Sequence, residues 1–181
     1  MTYQRSTNVL IPHMSKQTLH EDARSIKIEA SPAAVWSVIE QIGGEHGWYH
    51  ADSLWVLRGC LDRFIGGIGL RRDRTRRKEI IQGDTVDFWR VVSAVPMERL
   101  LLSSEMKLPG KATLEFQIHE AGAGTCELKQ TARFWSNGMW GTLYWNLLLP
   151  VPHYIFGGMI KKIRKIALRQ VTTSGQSKPL A

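Results

Sequence analysis

Along the chain, hydrophobic and polar positions follow two periods in a definite order. Residues 25–30 (SIKIEA) alternate, with Ile26, Ile28 and Ala30 on one side, and predict a strand. Ser31-Pro32 then opens a helix, because serine is a good N-cap and proline at the first helical position gives up an N–H that has no partner there. Val35, Trp36, Val38, Ile39 and Ile42 recur at helical spacing, and Gly43-Gly44 ends the pattern. A second helix is expected over 54–65 after the Asp52-Ser53 cap, with Leu54, Leu57, Leu61, Phe64 and Ile65 on its apolar face. The middle of the chain then changes period. Residues 85–95, 99–107, 112–119 and 125–135 read as strands joined by short turns, which predicts an antiparallel meander. Residues 138–170 return to helical spacing, interrupted near Pro150-Val151-Pro152. Ile155, Phe156, Met159, Ile163, Ile166 and Ala167 mark the apolar face of the segment that follows. Residues 1–22 have no period and read as an N-terminal arm, 23–171 as one domain, and 172–181 as a loose tail.

The register of the second predicted hairpin decides which polar groups share a face with the apolar ones. In 112–119, Leu114, Phe116 and Ile118 face one way; in 125–135, Cys126, Leu128, Gln130, Ala132 and Phe134 do. If the turn around Pro109-Gly110 holds an even number of residues, Leu114 pairs with Glu105 and Phe116 with Ser103. Those two polar groups then lie beside Leu128 and Gln130. An odd turn, or a bulge, puts Met106 and Ser104 there instead.

Hydrophobic residues make up 43% and charged residues 22% of 181 residues, a globular balance of about one domain. The net charge of +8 is concentrated in two places. Residues 71–78 (RRDRTRRK) hold Arg71, Arg72, Arg74, Arg76, Arg77 and Lys78; residues 161–169 hold Lys161, Lys162, Arg164, Lys165 and Arg169. Such clusters are solvated faces or phosphate contacts. The 71–78 run has no aromatic beside it, and no DNA-binding motif occurs, so nucleic acid is not an expected partner. An anionic membrane surface is the better charged partner, touched through Arg71, Arg72, Arg74, Arg76, Arg77, Lys78, Lys161, Lys162 and Lys165. Trp140–Ile160 carries no Asp, Glu, Lys or Arg and is long enough to cross a bilayer, but Pro150, Pro152, Asn146 and His153 argue for a helix buried against the sheet. Two cysteines, Cys60 and Cys126, and no apolar leader in residues 1–25 predict a reduced, cytoplasmic setting.

Motif-grade chemistry is sparse. His46 and His50 lie four apart but flank Gly47, and the sequence is not HExxH, so no metal site is expected. No nucleophile elbow or phosphate loop occurs. Glu105 is the candidate catalytic residue: a carboxyl forced into an apolar pocket becomes a general acid with a raised pKa. His50 and His119 are its candidate proton partners.

The stretch SIKIEASPAAVWSVIEQI resembles the opening of the START-like superfamily (SRPBCC, with Bet v 1, polyketide cyclases and lipid-transfer domains). More narrowly, GWYHADSLWVLRGCLDRFIGGIGLRR, GDTVDFWRV, LLLSSEMKLPGKATLEF, QTARFW and YWNLLLPVPHYIFGGM are similar to an uncharacterised domain family often fused behind NAD-binding, epimerase-like domains. The GGIG at 66–69 is not GxGxxG and follows a predicted helix, so no cofactor is expected. The resemblance implies an α+β helix-grip fold, a curved antiparallel sheet wrapped around a long C-terminal helix, with an apolar cavity between them. Within that frame the candidate ligand-binding residues are Trp36, Trp48, Tyr49 and Phe88, then Ser103, Glu105, Leu114, Phe116, Leu128 and Gln130 on the sheet, then Tyr144, Ile155 and Met159. The expected function is non-enzymatic binding or transport of a hydrophobic small molecule or lipid. The alternative is a cyclase- or hydratase-type enzyme acting in the same cavity.

Overall fold

A computed structural model describes residues 17–43, 47–50, 63, 79–106, 110–139, 143 and 150–176. Its elements are β1 (Gln17–Ile28), α1 (Pro32–Ile39), β2 (Thr85–Val86), β3 (Trp89–Val95), β4 (Arg99–Ser104), β5 (Gly110–Gly122), β6 (Thr125–Asn137) and α2 (Pro150–Gln176). The strands form one curved antiparallel sheet in the order β1-β6-β5-β4-β3-β2. The meander therefore runs from β2 to β6, and β1 closes the free edge of β6. Both helices pack on one face, called the inner face here, and α2 also contacts α1. This is the helix-grip arrangement expected from the chain's periodicity and its resemblance.

The inner face is apolar because the alternation of each strand is in phase with its neighbours. Leu102 pairs with Leu114 and Leu114 with Ala132; Leu100 pairs with Phe116 and Phe116 with Gln130. Leu100, Leu102, Leu114, Phe116 and Leu128 are each at most 1% exposed, in one cluster with Ile155, Met159 and Ile163 of α2. Lys161, Lys162, Arg164, Lys165 and Arg169 project from α2 into solvent. Helix α1 is capped as expected: the Ser31 hydroxyl accepts from Ala34 N at 3.3 Å, with Pro32 at the helix start. It ends before Gly43, whose φ of 85° suits glycine and where a methyl would overlap Val86 Cγ1.

Three expectations need correcting. The first strand begins at Gln17, inside the segment read as an arm, because residues 17–24 continue the pairing with β6 from Gln17↔Asn137 to Arg24↔Gln130. Their inward positions are polar, so hydrophobic alternation does not reveal them. The strand expected over 85–95 is interrupted at Asp87, which sits at φ 55° while its buried carboxylate accepts from Trp48 Nε1 at 2.8 Å. Helix α2 continues through Gln176, past the expected start of the tail. All of the helix expected over 54–65 except Arg63, the basic run 71–78 and most of 138–149 lie outside the described residues.

Candidate functional site

The β4–β5 pairing settles the register left open by the sequence. The pairs Leu102↔Leu114 and Ser103↔Thr113 follow the odd alternative, so Ser104, with Met106 after it, takes the inward phase. Ser103 and Glu105 belong to the outer face. Glu105 binds Arg90 there, with both side chains partly in solvent and Arg90 Nη2 2.7 Å from Glu105 Oε1. That environment is neither apolar nor enclosed, so Glu105 does not serve as an interior general acid. His119 is likewise exposed, in phase with Gln117 and Glu115 on the outer face.

Several other candidate residues do converge on the inner side. Leu114, Phe116 and Leu128 come from the sheet, and Ile155 and Met159 from α2. Trp48 stacks on Phe88 at 5.9 Å and contacts Trp89 at 6.0 Å, while the Tyr49 hydroxyl donates to Val38 O at 2.8 Å. Trp36 is 5% exposed and lines a groove of about 540 Å³ between α1, residues 79–82 and the β3–β4 turn. Tyr144 lies outside the described residues.

Gln130 differs from all of these. It occupies the inward phase of β6 between Arg24 on β1 and Phe116 on β5, and it is 1% exposed. Among the described residues, neither its Nε2 nor its Oε1 has a hydrogen-bond partner. A buried amide left this way costs about 1–3 kcal/mol per unmatched group. Two more buried nitrogens share the condition, His50 Nε2 and Trp89 Nε1.

Beside Gln130 lies a polar cluster that sequence reasoning missed. Arg24 binds Asp22 through two hydrogen bonds, Nε to Oδ1 at 2.8 Å and Nη2 to Oδ2 at 2.6 Å, and Nη2 also lies 2.7 Å from His153 Nδ1. A guanidinium only donates, so His153 Nδ1 accepts and its ring proton sits on Nε2. Helix α2 can lie this close because of Gly157 and Gly158: a methyl at Gly157 would overlap Arg24 Nη1, and one at Gly158 would overlap the His50 ring. The His50 ring also meets Tyr154 at 4.7 Å. Two signals pointed here: the period-2 series His20, Asp22, Arg24 leading into Ile26 and Ile28, and the paired glycines inside an otherwise helical run.

The outer face holds a different kind of polar group. Glu115, 4% exposed, accepts from Arg99 Nε at 2.7 Å and Arg133 Nη1 at 2.7 Å, and Arg133 also reaches Glu21. Burial alone pushes the Glu115 carboxyl up, but the hydrogen bonds and charges of the two arginines outweigh it and hold the carboxyl below its ordinary value. Burial raises the Cys126 thiol, which suits an unreactive core cysteine. No group of metal-ligating side chains forms among the described residues, and none of their helices is long and apolar enough to cross a membrane.

The sequence profile of the family described as "Protein of unknown function (DUF2867)" matches residues 14–159. Among curated proteins, none matches the sequence. Among solved structures, the fold is similar to the Zhui aromatase/cyclase from Streptomyces sp. R1128, at 14% identity and a TM-score of 0.54 over 85% of this chain and 96% of that one. It is similar to truncated norcoclaurine synthase from Thalictrum flavum, at 10% identity and a TM-score of 0.55 over 84% and 95%. The same synthase in complex with dopamine and hydroxybenzaldehyde aligns at 12% identity and a TM-score of 0.53 over 93% and 97%.

Proposed function

This chain belongs to the DUF2867 family, and from its fold and its inner face we propose that it binds a hydrophobic small molecule between the sheet and α2, as a carrier or receptor rather than a catalyst. The observation that carries the reading is the make-up of that face. Leu114, Phe116, Leu128, Ile155 and Met159 supply apolar surface, and a single strand position among them, Gln130, supplies an amide that no described protein group satisfies. Apolar walls with few polar groups are what orient a small apolar ligand. The cyclase in the comparison and the synthase seen with dopamine and hydroxybenzaldehyde support such a use of this fold. The catalytic alternative loses its base, because Glu105 is tied to Arg90 on the outer face.

Native mass spectrometry of the purified protein before and after organic extraction tests the proposal, together with titration of the extracted protein with the neutral fluorophore 1-aminoanthracene. The expected result is an extractable apolar adduct or saturable uptake of the fluorophore. A protein that carries nothing and takes up no fluorophore overturns it.

A further inference from the structure

We propose that the ligand carries a neutral head group offering a hydrogen-bond donor and acceptor side by side, of the carboxamide or lactam class, and that the Gln130 amide reads it. The inference rests on the binding reading above and specifies the chemistry of that same site.

Three observations lead to it. First, the two polar atoms of Gln130 are both unmatched among the described residues, and the side chain is 1% exposed. An amide edge presents one N–H donor and one carbonyl acceptor, so its complement is a group with one of each. An ester or ether can answer only the donor. A primary carboxamide or a lactam answers both.

Second, the charge next to Gln130 is already neutralised. Its register partner Arg24 is held by both carboxylate oxygens of Asp22 and donates again to His153. A carboxylate head would therefore find no open cation beside Gln130 among the described residues, and it would lose its hydration without a matching charge. A neutral head group meets no such penalty.

Third, the neighbours of Gln130 are apolar on its other sides. Phe116 lies opposite on β5, and Leu128 and Ala132 occupy the adjacent inward positions of β6. Little water competes for the amide there, which makes two matched hydrogen bonds discriminating.

The test uses four probes of known chemistry against extracted protein: 1-aminoanthracene as the reporter, displaced by decanamide, methyl decanoate or decanoate. The chain length is constant, so only the head group varies. Wild-type protein is expected to bind decanamide about tenfold more tightly than methyl decanoate or decanoate, the effect of roughly one to two net hydrogen bonds. In Gln130→Leu the preference for decanamide over methyl decanoate and decanoate disappears. The inference is overturned if wild-type protein takes up 1-aminoanthracene but ranks methyl decanoate or decanoate at or above decanamide, or if Gln130→Leu keeps the full preference. The wild-type ranking needs no variant, so it decides the matter even where Gln130→Leu fails to fold. Failure of the broader reading looks different: neither 1-aminoanthracene nor any decanoyl probe binds, and this inference falls with it.

Discussion

Gln130 and Thr131 are neighbours on β6 and face opposite sides of the sheet. The outward row through Thr131 contains Glu115, and the inward row contains Gln130 itself between Arg24 and Phe116. Both rows therefore bury a strongly polar side chain, at 4% exposure for Glu115 and 1% for Gln130. What differs is completion. Glu115 has a guanidinium on each side, and Arg133 carries the chain of contacts on to Glu21. Gln130 has no partner among the described residues. A buried polar group whose bonds are all made within the protein holds strands in register. One whose bonds are left unmade reserves its energy for whatever enters. The outer cluster is thus structural, and the inner position is the one at which we propose recognition.

The largest effect that sharpens this contrast is expected on the outer face. Glu115→Ala removes two charge-assisted hydrogen bonds and leaves two arginines facing each other, at a cost of about 3 kcal/mol in urea denaturation at neutral pH. The same truncation at Glu105, whose pair with Arg90 is half in water, costs under about 1 kcal/mol. The pH dependence has a definite sign. Because the folded Glu115 carboxyl lies below its ordinary value, its contribution is complete above the unfolded carboxylate pKa of about 4.3 and is lost as pH falls through the folded value. The gap between wild type and Glu115→Ala therefore narrows on acidification. A constant gap down to low pH contradicts the ion-pair account.

A smaller effect is expected where α2 meets the inner face. Gly158→Ala improves helix propensity by about 1 kcal/mol, yet its methyl overlaps the His50 ring, which Tyr154 backs from the side. Overlap in a packed site costs about 1–3 kcal/mol, so the net change is a destabilisation of about 1 kcal/mol. His50→Ala should relieve it, so the double variant shows a coupling between the two positions. If Gly158→Ala alone raises the melting temperature, the close approach of His50 to the helix is wrong.

How much of this was legible in the sequence follows from which forces write themselves into local pattern. The meander and the helix faces were legible, since in-phase alternation and the Ser31-Pro32 cap are local signals. The placement of Glu105 was not: the parity of the β4–β5 connection decides it, and parity depends on where pairing begins rather than on any one residue. The outer cluster escaped for a related reason. Glu115, Arg99 and Arg133 sit on three strands, and only the pairing brings them together. Asp22 and Arg24 escape the apolar alternation, which begins at Ile26, because their inward positions are polar. Gln130 was legible as an inward polar residue; that it is partnerless among the described residues is a property of the assembled sheet.

The smallest expected effect is the most diagnostic. In extracted, unliganded protein, Gln130→Leu breaks no hydrogen bond made by the described residues, and it removes a donor and an acceptor that are otherwise unmatched. It also places an apolar side chain of similar size beside Phe116. Stability should then stay within about 1 kcal/mol of wild type, on the stabilising side. The contrast with Glu115→Ala is the point, because both variants delete a buried polar group from adjoining rows of one sheet. A loss of more than about 2 kcal/mol would mean that the Gln130 amide is bonded within the protein after all. Gln130 would then belong with Glu115 among the groups that hold the sheet, and the buried polar atoms left unmatched among the described residues would be those of His50 and Trp89.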